Sequence, residues 1–385
     1  MKTIYFHIGL PKTGSSYLQS IFAMNQENYS NNGLLYPDLM MANFKSAIFG
    51  KTTSGNGLSI AAAGNDFLAA SIKPIDIENF FLNLDTKYNY LFSTEWFIGC
   101  PHEFFLKIEN IVKEKFVVKY IVCVRKPDDL CKSLFLQSLK FNNSVLNIAD
   151  IDYFHKSQIL VDVKRNINLI LNLPEHKLFV INYDYHKNNL IEPIDKIIFK
   201  KKVSKKLKFS SVNPSPNLRE AEVLWLASQL NITNFKLSMN FIESNPNKGQ
   251  SFSLPRSVIN KIYNELKHEI LAINNLLPKN NLLPTKPTDC KGKHFTHILA
   301  SSELEFLDLL IQNKFNETLE SCIDNLIQFT YKYFPVYEKI INNKSLPKDF
   351  HPLIYLMKNQ DVLRENHDPI NHFIDFGKQE GRVYK

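Results

Sequence analysis

The stretch Thr3-Ile-Tyr-Phe-His-Ile-Gly-Leu-Pro-Lys-Thr-Gly-Ser-Ser16 decides the fold. Thr3 to Ile8 is a β-branched and aromatic run, which predicts a strand, and it enters the loop Gly9 to Gly14 without a linker. From Ser15 to Met24, Tyr17, Leu18, Ile21 and Phe22 recur at helical spacing, and the serines can cap the free amides of the first turn. The unit is therefore strand, loop, helix. Its loop places Lys12, neighbouring hydroxyls and several backbone amides at a helix N-terminus, where unpaired N–H groups and the helix dipole favour phosphate or sulfate. The nucleoside triphosphatase pattern GxxxxGK[ST] sets lysine after the second glycine, whereas Lys12 precedes Gly14, which argues against a P-loop kinase or GTPase. Taken alone, the loop also fits an ordinary strand-to-helix turn with an exposed lysine.

Working outward, apolar runs recur at Tyr88 to Ser93, Val117 to Val124 and Lys177 to Asn182, with helical patterns between them. That alternation predicts strands buried on both faces of a parallel sheet, an α/β fold of three layers. The run Val117 to Val124 ends in Arg125-Lys-Pro-Asp-Asp-Leu-Cys-Lys-Ser133, where Pro127 suits the first helical position and Asp128 and Asp129 suit the helix dipole. Ligands of open parallel sheets bind beyond the carboxyl ends of the strands, so the Lys12 loop and Arg125 can reach one crevice. The alternative for Arg125 is a surface salt bridge to Asp128 or Asp129.

Together, Pro11-Lys-Thr-Gly-Ser-Ser-Tyr-Leu-Gln19 and Arg125-x7-Ser133 resemble the two nucleotide-binding signatures of sulfotransferases that use 3′-phosphoadenosine 5′-phosphosulfate (PAPS). The resemblance spans roughly residues 1 to 290. It implies a P-loop-like PAPS-binding core in which Lys12, Thr13, Gly14, Ser15, Ser16 and Tyr17 hold the 5′-phosphosulfate. Arg125 and Ser133 would hold the 3′-phosphate, with 3′-phosphoadenosine 5′-phosphate (PAP) as product and no metal. Ser15-Ser16 stands where many members have Thr-Thr, and the late RKG-type loop of cytosolic members has no clear match. Val180-Ile-Asn-Tyr-Asp-Tyr185 looks like the family's strand-end Tyr-Glu-Asp segment, and the opening run with Ser93-Thr-Glu-Trp-Phe97 looks most like bacterial members, many of which modify carbohydrates.

Sulfuryl transfer needs charge stabilisation and a base near the acceptor hydroxyl. Lys12 is expected to stabilise the leaving oxygen, and Glu95, delivered by the carboxyl end of the strand Tyr88 to Ser93, is expected to be the base. His102 is the second candidate, although it follows Pro101 and can simply begin a helix, and His7 reads as a core histidine. Outside the enzyme reading, the same cradle fits a nucleotide- or glycan-binding protein without turnover.

The chain has 385 residues, 44% hydrophobic and 22% charged, enough to bury a sizeable core and unlike a disordered or membrane-spanning composition. Its five cysteines, Cys100, Cys123, Cys131, Cys290 and Cys322, form no CxxC pair, so neither a disulfide framework nor a zinc site is expected. A cytoplasmic protein is expected, with possible peripheral association at the inner membrane. The net charge of +8 favours anionic partners, and Lys196, Lys200, Lys201, Lys202, Lys205, Lys206 and Lys208 crowd one segment. The expected partner is a surface glycan or its precursor, not nucleic acid. Pro278, Pro284 and Pro287 mark a boundary, which divides the chain into a sulfotransferase-like part (1–290), a helical extension (291–345) and a C-terminal part (346–385). The last, with His351-Pro-Leu-Ile-Tyr-Leu-Met-Lys-Asn-Gln-Asp-Val362, resembles a small helical module appended to bacterial glycan enzymes.

Overall fold

The computed structural model describes residues 1–39, 47, 53–141, 158–205, 215–229, 234–245, 251–287 and 350–384, with scattered positions between 305 and 347. Five parallel strands form one sheet in the order β2-β3-β1-β4-β5. They are β1 (Lys2–Ile8), β2 (Leu34–Leu35), β3 (Asn89–Thr94), β4 (Phe116–Val124) and β5 (Leu178–Asn182). The four strands expected from sequence are present. Only the edge strand β2 is new, and two residues carry no readable pattern.

Alternation along β1 sorts its side chains between two layers. Tyr5 joins Leu18, Ile21 and Phe22 of helix α1 (Ser15–Met24), and the same cluster takes in Ile191 and Ile194 of a later helix, Ile191–Phe199. Phe6 points the opposite way into an aromatic layer, 5.2 Å from Phe97, 5.8 Å from Phe92 and 5.9 Å from Phe105 between ring centroids. Phe105 comes from α2 (His102–Val112), so helices cover both faces and the architecture is three-layered α/β. Truncating a fully buried ring such as Phe6 costs about 3–5 kcal/mol, so this layer anchors the sheet.

The register pairs His7 with Ser93 on one side and with Ile121 on the other. From the central β1 the chain builds β2 and β3 on one flank and then β4 and β5 on the other. The carboxyl ends of β1, β3 and β4 thus surround a reversal of strand order, where open α/β sheets bind ligands. Past β4, Pro127 opens α3 (Pro127–Phe141), as its fixed φ and missing N–H favour.

The chain divides into two compact units that interleave along the sequence. The first comprises Met1–Cys131, Gln158–Asn213 and Asn260–Thr288, and the second comprises Lys132–Ser157, Pro214–Ile259 and Asp289–Lys385. In the second, Phe135 is buried, its ring tilted against that of Phe252 at 5.6 Å between centroids. At the C-terminal end, helices Pro352–Lys358, Gln360–Arg364 and Pro369–His372 pack around Leu356, Leu363 and Phe373. Tyr355 and His372 share a 2.8 Å hydrogen bond there, and Arg382 pairs with Asp361 and Glu380. The helices expected between 301 and 334 lie largely outside the described residues, as do Lys206, Lys208 and Cys290. Among the described residues no helix is long and apolar enough to cross a membrane.

Candidate functional site

The loop leaving β1 is shaped by backbone constraints. Lys12 and Gly14 both adopt left-handed conformations, with φ of 65° and 85°. Between them Thr13 is fully buried and its hydroxyl donates to the Leu10 carbonyl at 2.6 Å, closing the turn. Gly14, not a serine, is the N-cap of α1, and no side chain caps the helix. The expectation that Ser15 and Ser16 cap the first turn is thereby corrected: a helix entered from a left-handed glycine places both serines inside it. The uncapped first turn leaves its N–H groups available to an anion, which is favoured there by the helix dipole.

Two glycines of the loop sit at close approaches to its neighbours. A Cβ on Gly9 would lie 2.3 Å from Ser15 Oγ and 3.4 Å from Glu95 Cγ, so the side chain of Glu95 closes directly over the start of the loop. A Cβ on Gly14 would lie 2.7 Å from Leu190 Cδ2 and 3.0 Å from Tyr183 Cε2. The loop is wedged between the end of β3 and the end of β5.

Glu95 begins a short 3-10 turn, Glu95–Gly99, set by Thr94, whose hydroxyl accepts the Trp96 amide. Burial raises the Glu95 pKa, partly offset by the positive charge of Lys12 and by the Ser15 hydroxyl. Ser15 Oγ sits near enough to favour the charged carboxylate without completing a well-formed hydrogen bond. Burial conversely lowers the Lys12 pKa, with Glu95 opposing and Arg125 adding to the shift. Lys12 and Glu95 therefore form an opposed pair whose members are each pushed toward neutrality by desolvation and drawn back toward charge by the other.

Arg125 reaches the loop from β4. Its Nη1 donates to the Lys12 carbonyl at 2.9 Å, its Nε lies 3.7 Å from Asp184, and its guanidinium stands 5.1 Å from the centre of the Tyr183 ring. The ion-pair partner is thus Asp184, at the end of β5, in place of Asp128 or Asp129. Asp128 instead accepts the Tyr263 hydroxyl at 2.9 Å.

The structure brings together Lys12, Thr13, Gly14, Ser15, Glu95 and Arg125. Ser16 follows in the first turn, its carbonyl accepting the Ser20 hydroxyl, and Tyr17 packs half-buried against the same core cluster that Tyr183 flanks. Ser133 is 8% exposed and belongs to the second unit, the one expected nucleotide ligand outside the first. His102 is the first residue of α2 and lines a small apolar hollow with Ile8, Phe97, Cys100, Phe105 and Leu169. Among the described residues no hydrogen bond joins it to the loop. His7 is fully buried, bonded through Nδ1 to Ser93 at 2.8 Å, and burial depresses its pKa to about 4, so it is a neutral core residue.

Tyr183 and Asp184 are the site residues that sequence reasoning misses. The signal for them is the strand-end segment Val180 to Tyr185, whose similarity to a family segment assigns no role to either residue. Comparisons with family models, curated proteins and solved structures find no match for this chain.

Proposed function

We propose that the protein is a PAPS-dependent sulfotransferase that transfers a sulfuryl group to a carbohydrate hydroxyl, on a bacterial surface glycan or its precursor. One observation carries the reading: an uncapped helix N-terminus and Lys12 meet the carboxylate of Glu95 from one neighbouring strand and the guanidinium of Arg125 from the other. The residue pattern that resembles the sulfotransferase signatures supports it.

In this mechanism PAPS supplies the activated sulfuryl group. Lys12 and the first-turn amides of α1 hold the 5′-phosphosulfate and stabilise the charge that grows on the departing bridging oxygen. Glu95 takes the proton of the acceptor hydroxyl as the new O–S bond forms and the bond to the bridging oxygen breaks, so that PAP and the sulfate ester leave. A carboxylate with a raised pKa is a better base than an ordinary one, and the adjacent ammonium opposes the rise by favouring its ionised form. The resemblance assigns the 3′-phosphate to Arg125 and Ser133, and of these Arg125 stands at the loop. Lys196, Lys200, Lys201, Lys202 and Lys205, all exposed, provide a positive field for an acidic acceptor.

The test is the Glu95→Gln variant with ³⁵S-labelled PAPS and a panel of polysaccharides. The wild-type chain labels a glycan, and the variant binds PAP with unchanged affinity while transfer falls about 10²-fold or more, the range of a lost general base. Transfer by the variant at the wild-type rate removes Glu95 from the chemistry. A wild-type chain that binds PAP and transfers to no glycan is a binding protein, not an enzyme.

A further inference from the structure

Arg125 touches the loop in a way that an anion contact alone does not require. Its Nη1 bonds the backbone carbonyl of Lys12, a residue with φ of 65°, in a region that L-residues other than glycine and asparagine rarely adopt. Such a conformation persists only where the surroundings over-determine it. Arg125 is itself fixed from β5. Asp184 faces its Nε at 3.7 Å and accepts the Lys126 amide through the other oxygen at 2.6 Å. Asn182 holds the Asp184 and Tyr185 amides at 3.0 and 3.3 Å, so the carboxylate stands on a capped turn. The Tyr183 ring lies under the guanidinium and against Gly14, at the far end of the same loop.

We propose that Arg125, held by Asp184 and Tyr183, is a positioning residue for Lys12 as well as an anion ligand. By fixing the Lys12 carbonyl it keeps the turn left-handed and aims the lysine ammonium. A guanidinium has five N–H donors, so the bond to Lys12 leaves others for a phosphate. The two ends of the nucleotide site are then one mechanical unit. Disturbing Arg125 weakens binding at the 5′ end even for ligands that have no 3′-phosphate. This coupling rests on the nucleotide reading above, whereas the brace on the loop does not.

Two measurements on the full chain test it. Amide hydrogen exchange over residues 9–17 is compared between wild type, Arg125→Lys and Asp184→Asn, with α2 as internal reference. Arg125→Lys keeps the charge and loses the fork, and Asp184→Asn is nearly isosteric, so one tests the brace even if the other folds poorly. Exchange in the loop rises about tenfold or more in each variant, the effect of losing a charge-assisted hydrogen bond, while α2 is unchanged. Loop exchange at the wild-type rate in both variants overturns the proposal. Adenosine 5′-phosphosulfate, which lacks the 3′-phosphate, then binds Arg125→Lys about tenfold more weakly than wild type. Equal affinity overturns the coupling and leaves Arg125 a 3′-phosphate ligand alone. A wild type that binds no adenosine nucleotide removes the functional reading, and the exchange result still decides the brace.

Discussion

Replacing Gly14 by alanine tests how the loop is built. Two costs combine at this position. The φ of 85° imposes the left-handed penalty of about 1–2 kcal/mol on any residue with a Cβ. The new methyl would also meet Leu190 Cδ2 at 2.7 Å and Tyr183 Cε2 at 3.0 Å, an overpacking worth about 1–3 kcal/mol. Leu190 is buried and Tyr183 lies against the Arg125 guanidinium, so relieving the contact disturbs the core or the Arg125 contact. The expected loss is about 2–5 kcal/mol in all. Gly33 supplies the control, because it has φ of 74° and open space within 4 Å of where a Cβ would stand, so Gly33→Ala incurs the backbone penalty alone. Urea denaturation of both variants should separate them by about 1–3 kcal/mol at equal m-value. The Gly14 variant should also bind PAP more weakly, and the Gly33 variant as wild type does. Equal destabilisation of the two variants, with PAP affinity unchanged, would refute the packing of Tyr183 and Leu190 on the loop.

The rate of transfer should follow a bell-shaped pH profile whose acid limb lies above the ordinary glutamate range, because burial raises Glu95, and whose basic limb lies below the ordinary lysine range, because burial lowers Lys12. Kinetics of Glu95→Gln should lack the acid limb, and an unchanged limb would assign it to another group. His7, neutral in the fold with a pKa of about 4, takes up a proton more readily when unfolded, so stability falls as pH drops from about 6.5 toward 4, by about 3 kcal/mol at most. Comparing urea midpoints of wild type and His7→Asn across that window checks it: the slope should be weaker in the variant, and parallel slopes would contradict the assignment. Removing the Oγ1 donor in Thr13→Val leaves the buried Leu10 carbonyl without its 2.6 Å bond and should cost about 1–3 kcal/mol. No change in the urea midpoint would mean that the turn closes without it.

The strands and α1 are legible because their signals are local: β-branched runs at Thr3 to Ile8 and Val117 to Val124, and apolar residues at helical spacing after Gly14. The meeting of Lys12, Glu95 and Arg125 is also legible, since three strand ends of one parallel sheet share a crevice. The capping of α1 is misread because serine side chains are visible in the sequence and the left-handed turn at Lys12 and Gly14 is not. Asp184 as the partner of Arg125 escapes notice for a different reason. It is brought alongside by the pairing of β4 with β5, 58 residues from Lys126, while Asp128 and Asp129 are adjacent in sequence. The interleaving of the two units, with 132–157 and 214–259 grouped with the C-terminal part, is likewise a product of long-range contacts that local composition does not encode.

The most direct measurement of the central claim is calorimetric titration of the wild-type chain with PAP, with adenosine 5′-monophosphate and Mg²⁺-ATP as comparisons. A loop and an arginine that grip opposite ends of one nucleotide predict saturable 1:1 binding of PAP, markedly weaker binding of the monophosphate, and a stabilisation of about 2.7 kcal/mol at a hundredfold excess over Kd. Binding of Mg²⁺-ATP with no response to PAP would contradict it.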